Sequence, residues 1–222
     1  MIVVHHLNNS RSQRVLWTLE ELGVPYEVKR YERDLKTNLA PDSLKKVHPL
    51  GKSPVITDGD ITVAESGAII EYLAENYGES SFIPETKSEA YRQYLYWLHF
   101  AEGTLMPQLL LKLIFEKIVK GSMPFIIKPI AKGIMKKIMS GYVGPNITNN
   151  LDFIENHLKN NQWFAGERLS GADFQMSFPL EAWVVRNKAN KNYPEIIAFV
   201  KRCQARTAYQ KALESGGTYD YA

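Results

Sequence analysis

The sequence predicts a small α/β domain followed by a larger all-α domain. Three observations carry that prediction. The first 77 residues alternate strand and helix signals, the texture changes after Gly78, and from about residue 87 every periodic segment is helical. "IVVHH" is a short β-branched run that opens the chain. "SQRVLWTLEELG" follows, with Val15, Leu19 and Leu22 on one helical face and Gly23 as the stop. Gly23-Val24-Pro25 connects it to "YEVKRY", which alternates as a strand does. "PDSLKKV" gives one or two helical turns. "SPVITD" and "ITVAE" form a hairpin across Asp58-Gly59-Asp60. "SGAIIEYLAENY" is an amphipathic helix. The order β-α-β-α-β-β-α implies one parallel crossover pair extended by an antiparallel hairpin.

The polar run "GESSFIPETKS" reads as a connection, so the expected division is 1–79, a linker at 80–86, and 87–222. Pro107 should bend or break the long helix that begins the second domain. "NITNNLDFIENHLKNN" sets Ile147, Leu151, Ile154 and Leu158 on one face. Ser170 and Asp173 have capping-box spacing, with Leu169 and Phe174 placed as a hydrophobic staple; this box is read as structural.

Composition excludes several classes. Of 222 residues 45% are apolar and 23% charged, which fits a folded globular chain. A net charge of +3, from 27 basic and 24 acidic side chains, is too even for a nucleic-acid binder. One cysteine, Cys203, rules out an internal disulfide or a thiol pair and fits a reducing compartment. The histidines lack zinc spacing, and no metal is expected. The N-terminus has no signal-peptide pattern and no apolar run is long enough to span a bilayer, so the expected location is the cytoplasm.

The stretch "HPLGKSPVITDGDITVAESGAII" is where chemistry is expected. A cis Ser53-Pro54 bond would turn the Ser53 amide and carbonyl out of the sheet and free them for an extended peptide; a trans proline on an edge strand is the commoner alternative. Glu65-Ser66 stands where a strand meets a helix. Glu65 can accept from an ammonium, and Ser66 with the helix end can take a carboxylate, although a bare serine cap is also common. Together they match an α-amino-acid head group.

Four segments, "SRSQRVLWTLEELGVPYE", "HPLGKSPVI", "AESGAIIEYL" and the Ser170–Asp173 box with "DFQMSFPLEAW", resemble the cytosolic-type glutathione transferases over nearly the whole chain. Most similar is a bacterial and fungal branch whose first helix begins with Ser-Arg. The resemblance implies a thioredoxin-like N-terminal domain, an all-helical C-terminal domain and a homodimer. It implies that Ser53, beside cis Pro54, pairs its main chain with the cysteinyl part of glutathione. Glu65 and Ser66 would hold the γ-glutamyl end, and Lys52 would approach the glycyl carboxylate. Ser10, or else Asn9, would donate to the sulfur. Neither Tyr nor Cys occurs between His6 and Arg14, against tyrosine- and cysteine-type relatives. Arg14 is read as a salt-bridge or helix-surface residue, and Arg11 as added positive potential. Trp97, Phe100, Met106 and Leu109 are the candidate wall for a hydrophobic electrophile or hydroperoxide, with the qualification that most such residues pack a helical core. The expected activity is transfer to glutathione, with peroxidase activity as an addition. A non-catalytic glutathione- or ligand-binding protein of the same fold is the alternative.

"EKIVKGSMPFIIKPIAKGIMKKIMSGYVG", residues 116–144, holds six lysines and one glutamate among Ile and Met. The favoured reading is an extra stretch of the helical domain with its lysines in solvent. Membrane contact is the less favoured one, since Pro124 and Pro129 interrupt a long helix.

Overall fold

A computed structural model describes all residues except 35, 38, 79, 80 and 188–191. Four strands, β1 (Ile2–Leu7), β2 (Tyr26–Tyr31), β3 (Val55–Asp58) and β4 (Ile61–Ala64), form one sheet in the order β2-β1-β3-β4. β1 and β2 are parallel, joined across α1 (Ser12–Leu22); β3 runs antiparallel to both its neighbours, β1 and β4. Gly23 ends α1 at φ +66°, a left-handed turn that favours glycine. Gly59, at φ +56°, turns the β3–β4 hairpin. The chain between β2 and β3 carries one 3-10 turn, Asp42–Lys46, and α2 (Ser66–Tyr77) follows β4 directly. The expected order of elements is therefore the observed one.

Among the described residues seven helices follow: α3 (Glu89–Phe100), α4 (Met106–Lys120), α5 (Ile127–Ile138), α6 (Gly144–Leu158), α7 (Gly171–Arg186), α8 (Pro194–Gln204) and α9 (Thr207–Gly216). Pro107 acts as expected. It cannot donate to the carbonyl one turn back, and the chain widens into a π-turn at Ala101–Leu105 before α4 resumes with proline in its first turn. Ile147, Leu151, Ile154 and Leu158 are all buried.

α7 is the axis of the molecule and buries most of its residues. At its start the Asp173 carboxylate accepts from the Ser170 amide and the Phe164 amide, each at 2.8 Å, and from the Ser170 hydroxyl at 2.9 Å. The two predicted domains share one apolar core. Trp17 of α1 packs edge-on against Phe174 of α7 and Tyr209 of α9, and Phe82 of the connection packs on Phe174 as well. The Phe82 carbonyl also accepts from the Gly171 amide at 2.9 Å. Of the expected 80–86 linker, Ser80 lies outside the described residues, and the part from Phe82 is packed rather than loose. This shared core holds the sheet edge at a fixed place against the helices.

Candidate functional site

The site grows from one edge of the sheet. β1 ends there, β3 begins there, and β4 ends there before α2. The β3–β4 register pairs Val55 with Ala64 at its last rung, so Ser53 and Pro54 enter β3 at the end of the hairpin where Glu65 and Ser66 leave β4. The β1–β3 register, with His5 opposite Val55, likewise brings Ser53 beside the end of β1. The Ser53 hydroxyl donates to the His5 carbonyl at 2.9 Å and accepts from the Leu7 amide at 3.2 Å. The Ser53–Pro54 peptide is cis. Among the described residues, none bonds the Ser53 main-chain amide or carbonyl.

α2 begins without a side-chain cap. The residue at the cap position is Glu65, at φ +70° and ψ 122°, a conformation that costs a non-glycine residue about 1–3 kcal/mol. Ser66 is already inside the helix, so it is not the plain serine cap that the sequence allowed. Its buried hydroxyl accepts from Nη2 of Arg14. The start of α2 therefore has no side-chain cap and lies beside the exposed Glu65 carboxylate, with the positive end of the helix dipole behind it.

Arg14 is wholly buried, so the helix-surface option is excluded and the salt bridge holds. The reason is its position on the core face of α1, where its guanidinium meets Glu102 at 2.5 Å and the Gln175 carbonyl at 2.5 Å. Arg11 reaches the same Glu102 carboxylate from Nε, at 2.8 and 3.0 Å. Burial pushes the Glu102 carboxyl up, but the two guanidinium groups more than offset that and hold it below its usual range. Much of Arg11's charge is thus taken up. Glu102 was not singled out from the sequence; the available signal was an acid in the apolar run "YWLHFAEGTLMPQLLL".

Ser10 and Asn9 sit where β1 turns into α1. Ser10 is buried; its hydroxyl lies 2.8 Å from that of Ser12 and accepts from the Ser12 amide at 3.2 Å. Ser12 in turn contacts Nδ1 of His6 at 2.8 Å. Burial, with Arg30 nearby, lowers His6 to about 4, so this ring is neutral at pH 7. Asn9, at φ +48°, exchanges two hydrogen bonds of 2.8 Å with Asp220: its amide donates to the carboxylate and its carbonyl accepts the Asp220 amide.

Ser10 and Asn9 both line a cleft of about 590 Å³ between the α/β unit and the helices. Met106, Leu109, Leu113, Phe178 and Trp183 supply its apolar wall, and Tyr221 borders it from the C-terminal segment. Of the four predicted wall residues Met106 and Leu109 are there, and Trp97 and Phe100 are not. Trp97 is fully buried, stacked among Phe100, Phe153, His157 and Phe164, and Phe100 borders a different groove with Tyr96 and Phe153. These two point to the other side of α3, as helical core residues do. Leu109 does line the cleft. Lys52, Ser53, Pro54, Glu65 and Ser66 do not; they lie at the start of β3 and the start of α2. Lys52 is exposed at its rim. The C-terminal residues were missed because their contacts join positions 211 apart in sequence; the unabsorbed "TYDYA" was the only hint.

This combination defines a class: a mixed four-stranded sheet with a cis proline at the start of β3, joined to a helical domain across a cleft with an apolar wall. Comparison with known proteins agrees. Residues 1–75 match the glutathione S-transferase N-terminal domain profile, and residues 119–207 match the C-terminal domain profile of the same family. Glutathione S-transferase 3 of Schizosaccharomyces pombe is 39% identical over 96% of this chain and 87% of its own length. Glutathione S-transferase 1 of Saccharomyces cerevisiae is 35% identical over 96% of this chain and 94% of its own. A crystal structure of a glutathione S-transferase from Actinobacillus pleuropneumoniae is 37% identical and superposes with a TM-score of 0.82, over 100% of this chain and 95% of that one. The chain belongs to the glutathione S-transferase family.

Proposed function

We propose that this protein binds glutathione in a cradle at the starts of β3 and α2, activates its thiol, and transfers it to a hydrophobic electrophile in the cleft. In this reading the free main chain of Ser53 pairs with the cysteinyl unit. Glu65 takes the γ-glutamyl ammonium, and the start of α2 with Ser66 takes its carboxylate. Lys52 meets the glycyl carboxylate. The carrying observation is the uncapped, strained start of α2, at the same end of the β3–β4 hairpin as Ser53.

The sulfur would then lie toward Ser10, the serine-type arrangement, with Asn9 as the alternative donor. A thiol with a pKa near ~8.5 is only about 3% thiolate at pH 7. Lowering it by roughly two units needs about 2.7 kcal/mol in favour of the anion. One hydroxyl donor to an anion supplies about 1.5–3 kcal/mol, and a helix start adds about 0.3–1. Ser10 already accepts the Ser12 amide, so its proton is what it has left to give, to the Ser12 oxygen or to sulfur. Apolar Met106, Leu109, Leu113, Phe178 and Trp183 suit a hydrophobic electrophile, and attack on a hydroperoxide oxygen uses the same thiolate.

A second reading has its own support. Ser10 is held by Ser12 and Asn9 by Asp220, and a protein in which both donors stayed so engaged would bind glutathione without turning it over. Retention on glutathione resin, followed by conjugation of a reactive aryl halide and a hydroperoxide assay, separates the two. Ser10→Ala should lower kcat about 10- to 100-fold with little change in glutathione affinity. Full activity in that variant removes Ser10 from the role. Location in the cytoplasm and a homodimer are part of the proposal. The groove of Tyr96, Phe100 and Phe153 on the helical domain is the surface that supports pairing with a second copy's N-terminal domain.

A further inference from the structure

The segment 116–144 is a stretch of the helical domain with its lysines in solvent, as the favoured sequence reading expects, but its large apolar residues are exposed as well. α5 buries none of its residues, and α4 buries only Met106. Phe125 is 83% exposed, Ile126 68% and Ile130 61%; Ile127, Ile134, Ile114 and Ile118 are exposed as well. Water-facing side chains of this size over two adjoining helices make a patch that an isolated soluble surface seldom carries.

The pattern on α5 is ordered. At about 100° per residue, Ile127, Ile130 and Ile134 form one stripe, and Lys128, Lys132 and Lys136 form another on the opposite face. Pro129 falls in the first turn of α5, where a missing donor is tolerated, so the two prolines shorten the helix without abolishing it. Lys117, Lys120 and Lys137 add to the basic set, and no Asp or Glu occurs from residue 117 to 151. α4 also joins this surface to the cleft. Leu109 and Leu113 line the cleft, while Ile114 and Ile118 continue the exposed apolar surface toward α5.

Charge decides the occupant. A second copy docked about a two-fold axis would set six lysines against six with one carboxylate per copy, Glu116, to pair them, and like charges across an interface are strongly unfavourable. An occupant must be apolar in its interior and anionic at its face. We propose that the α4–α5 tip docks peripherally on an anionic lipid bilayer, with Phe125, Ile126, Ile130 and Ile134 entering the headgroup boundary and the lysines held at the phosphate level. The helix lies on the surface; among the described residues no helix is long and apolar enough to cross a membrane. The proposal stands without the transferase mechanism.

Flotation of the full chain with vesicles tests it. At low salt the protein should float with phosphatidylcholine vesicles containing added phosphatidylserine, and far less with phosphatidylcholine alone. Lys132→Gln should weaken partition about fivefold, as loss of one lysine near an anionic surface does. The variant Phe125→Ser/Ile126→Ser/Ile130→Ser should not float, while its conjugation rate with a water-soluble substrate stays unchanged, because none of these residues lines the cleft. No flotation of the parent chain on anionic vesicles at low salt overturns the proposal, and so does flotation that survives both variants. A shift of the triple variant to a lower oligomeric state in sedimentation velocity overturns it in favour of self-association.

Discussion

Two helix starts in this molecule solve the same problem in opposite ways. α7 begins with a closed capping box: Asp173 accepts from the amides of Ser170 and Phe164 and from the Ser170 hydroxyl. α2 begins with no side-chain cap and with Glu65 in a left-handed conformation. A capped start stabilises the fold and has no donors left for a ligand. An open start costs stability and keeps its amides and dipole available. The contrast separates a structural box from a binding site without any reference to the reaction.

The comparison can be broken by exchanging effects. The largest change expected is in stability at the closed end. Asp173→Ala leaves two buried amides unpaired and should cost about 2–4 kcal/mol, roughly 5–15 °C in Tm, with the KM for glutathione nearly unchanged in a thermal melt and assay series. Next comes binding at the open end. Glu65→Gln should raise that KM about 10- to 100-fold, the loss of one charge-assisted bond, and move Tm by no more than a degree or two. If Tm falls instead and KM holds, α2's start is structural after all.

A smaller effect concerns pH. Glu181 of α7 is buried, and burial raises its carboxyl to about 7 despite the hydrogen bond from Tyr219 at 2.7 Å. The folded chain thus keeps a proton that the unfolded chain releases near 4.5. Its contribution to stability is complete below that value and lost as pH rises through about 7. Glu181→Gln should make the decline of Tm between about pH 5 and 8 shallower by several degrees. The smallest change is at Glu65 again. Glu65→Gly relieves the left-handed strain and should raise Tm by about a degree or two while still losing glutathione affinity.

Local rules made most of the fold legible. Alternation, 3.6-residue periodicity, Gly23 as a stop and Pro107 as a break act within a few residues, and the structure keeps all of them. The hairpin and the strand-to-helix junction at Glu65-Ser66 were legible for the same reason, because Ser53, Pro54, Glu65 and Ser66 lie on one short hairpin and its following helix. The cleft was not. Whether Trp97 or Leu109 faces it depends on how α3 and α4 are rotated against α7, and an apolar residue reads alike in a core or in a pocket. Arg14 shows the same limit: its charge suggested a surface, but Glu102, Ser66 and Gln175, brought from three other elements, make its burial affordable.

Cys203 has a practical meaning. Its sulfur is sealed in the core, and burial drives its thiol well above the ordinary range. The protein therefore contributes no ionised sulfur near neutrality. An ultraviolet titration of the complex would report the tripeptide's own ionisation against a silent background, and alkylating probes would spare the polypeptide while consuming its bound guest.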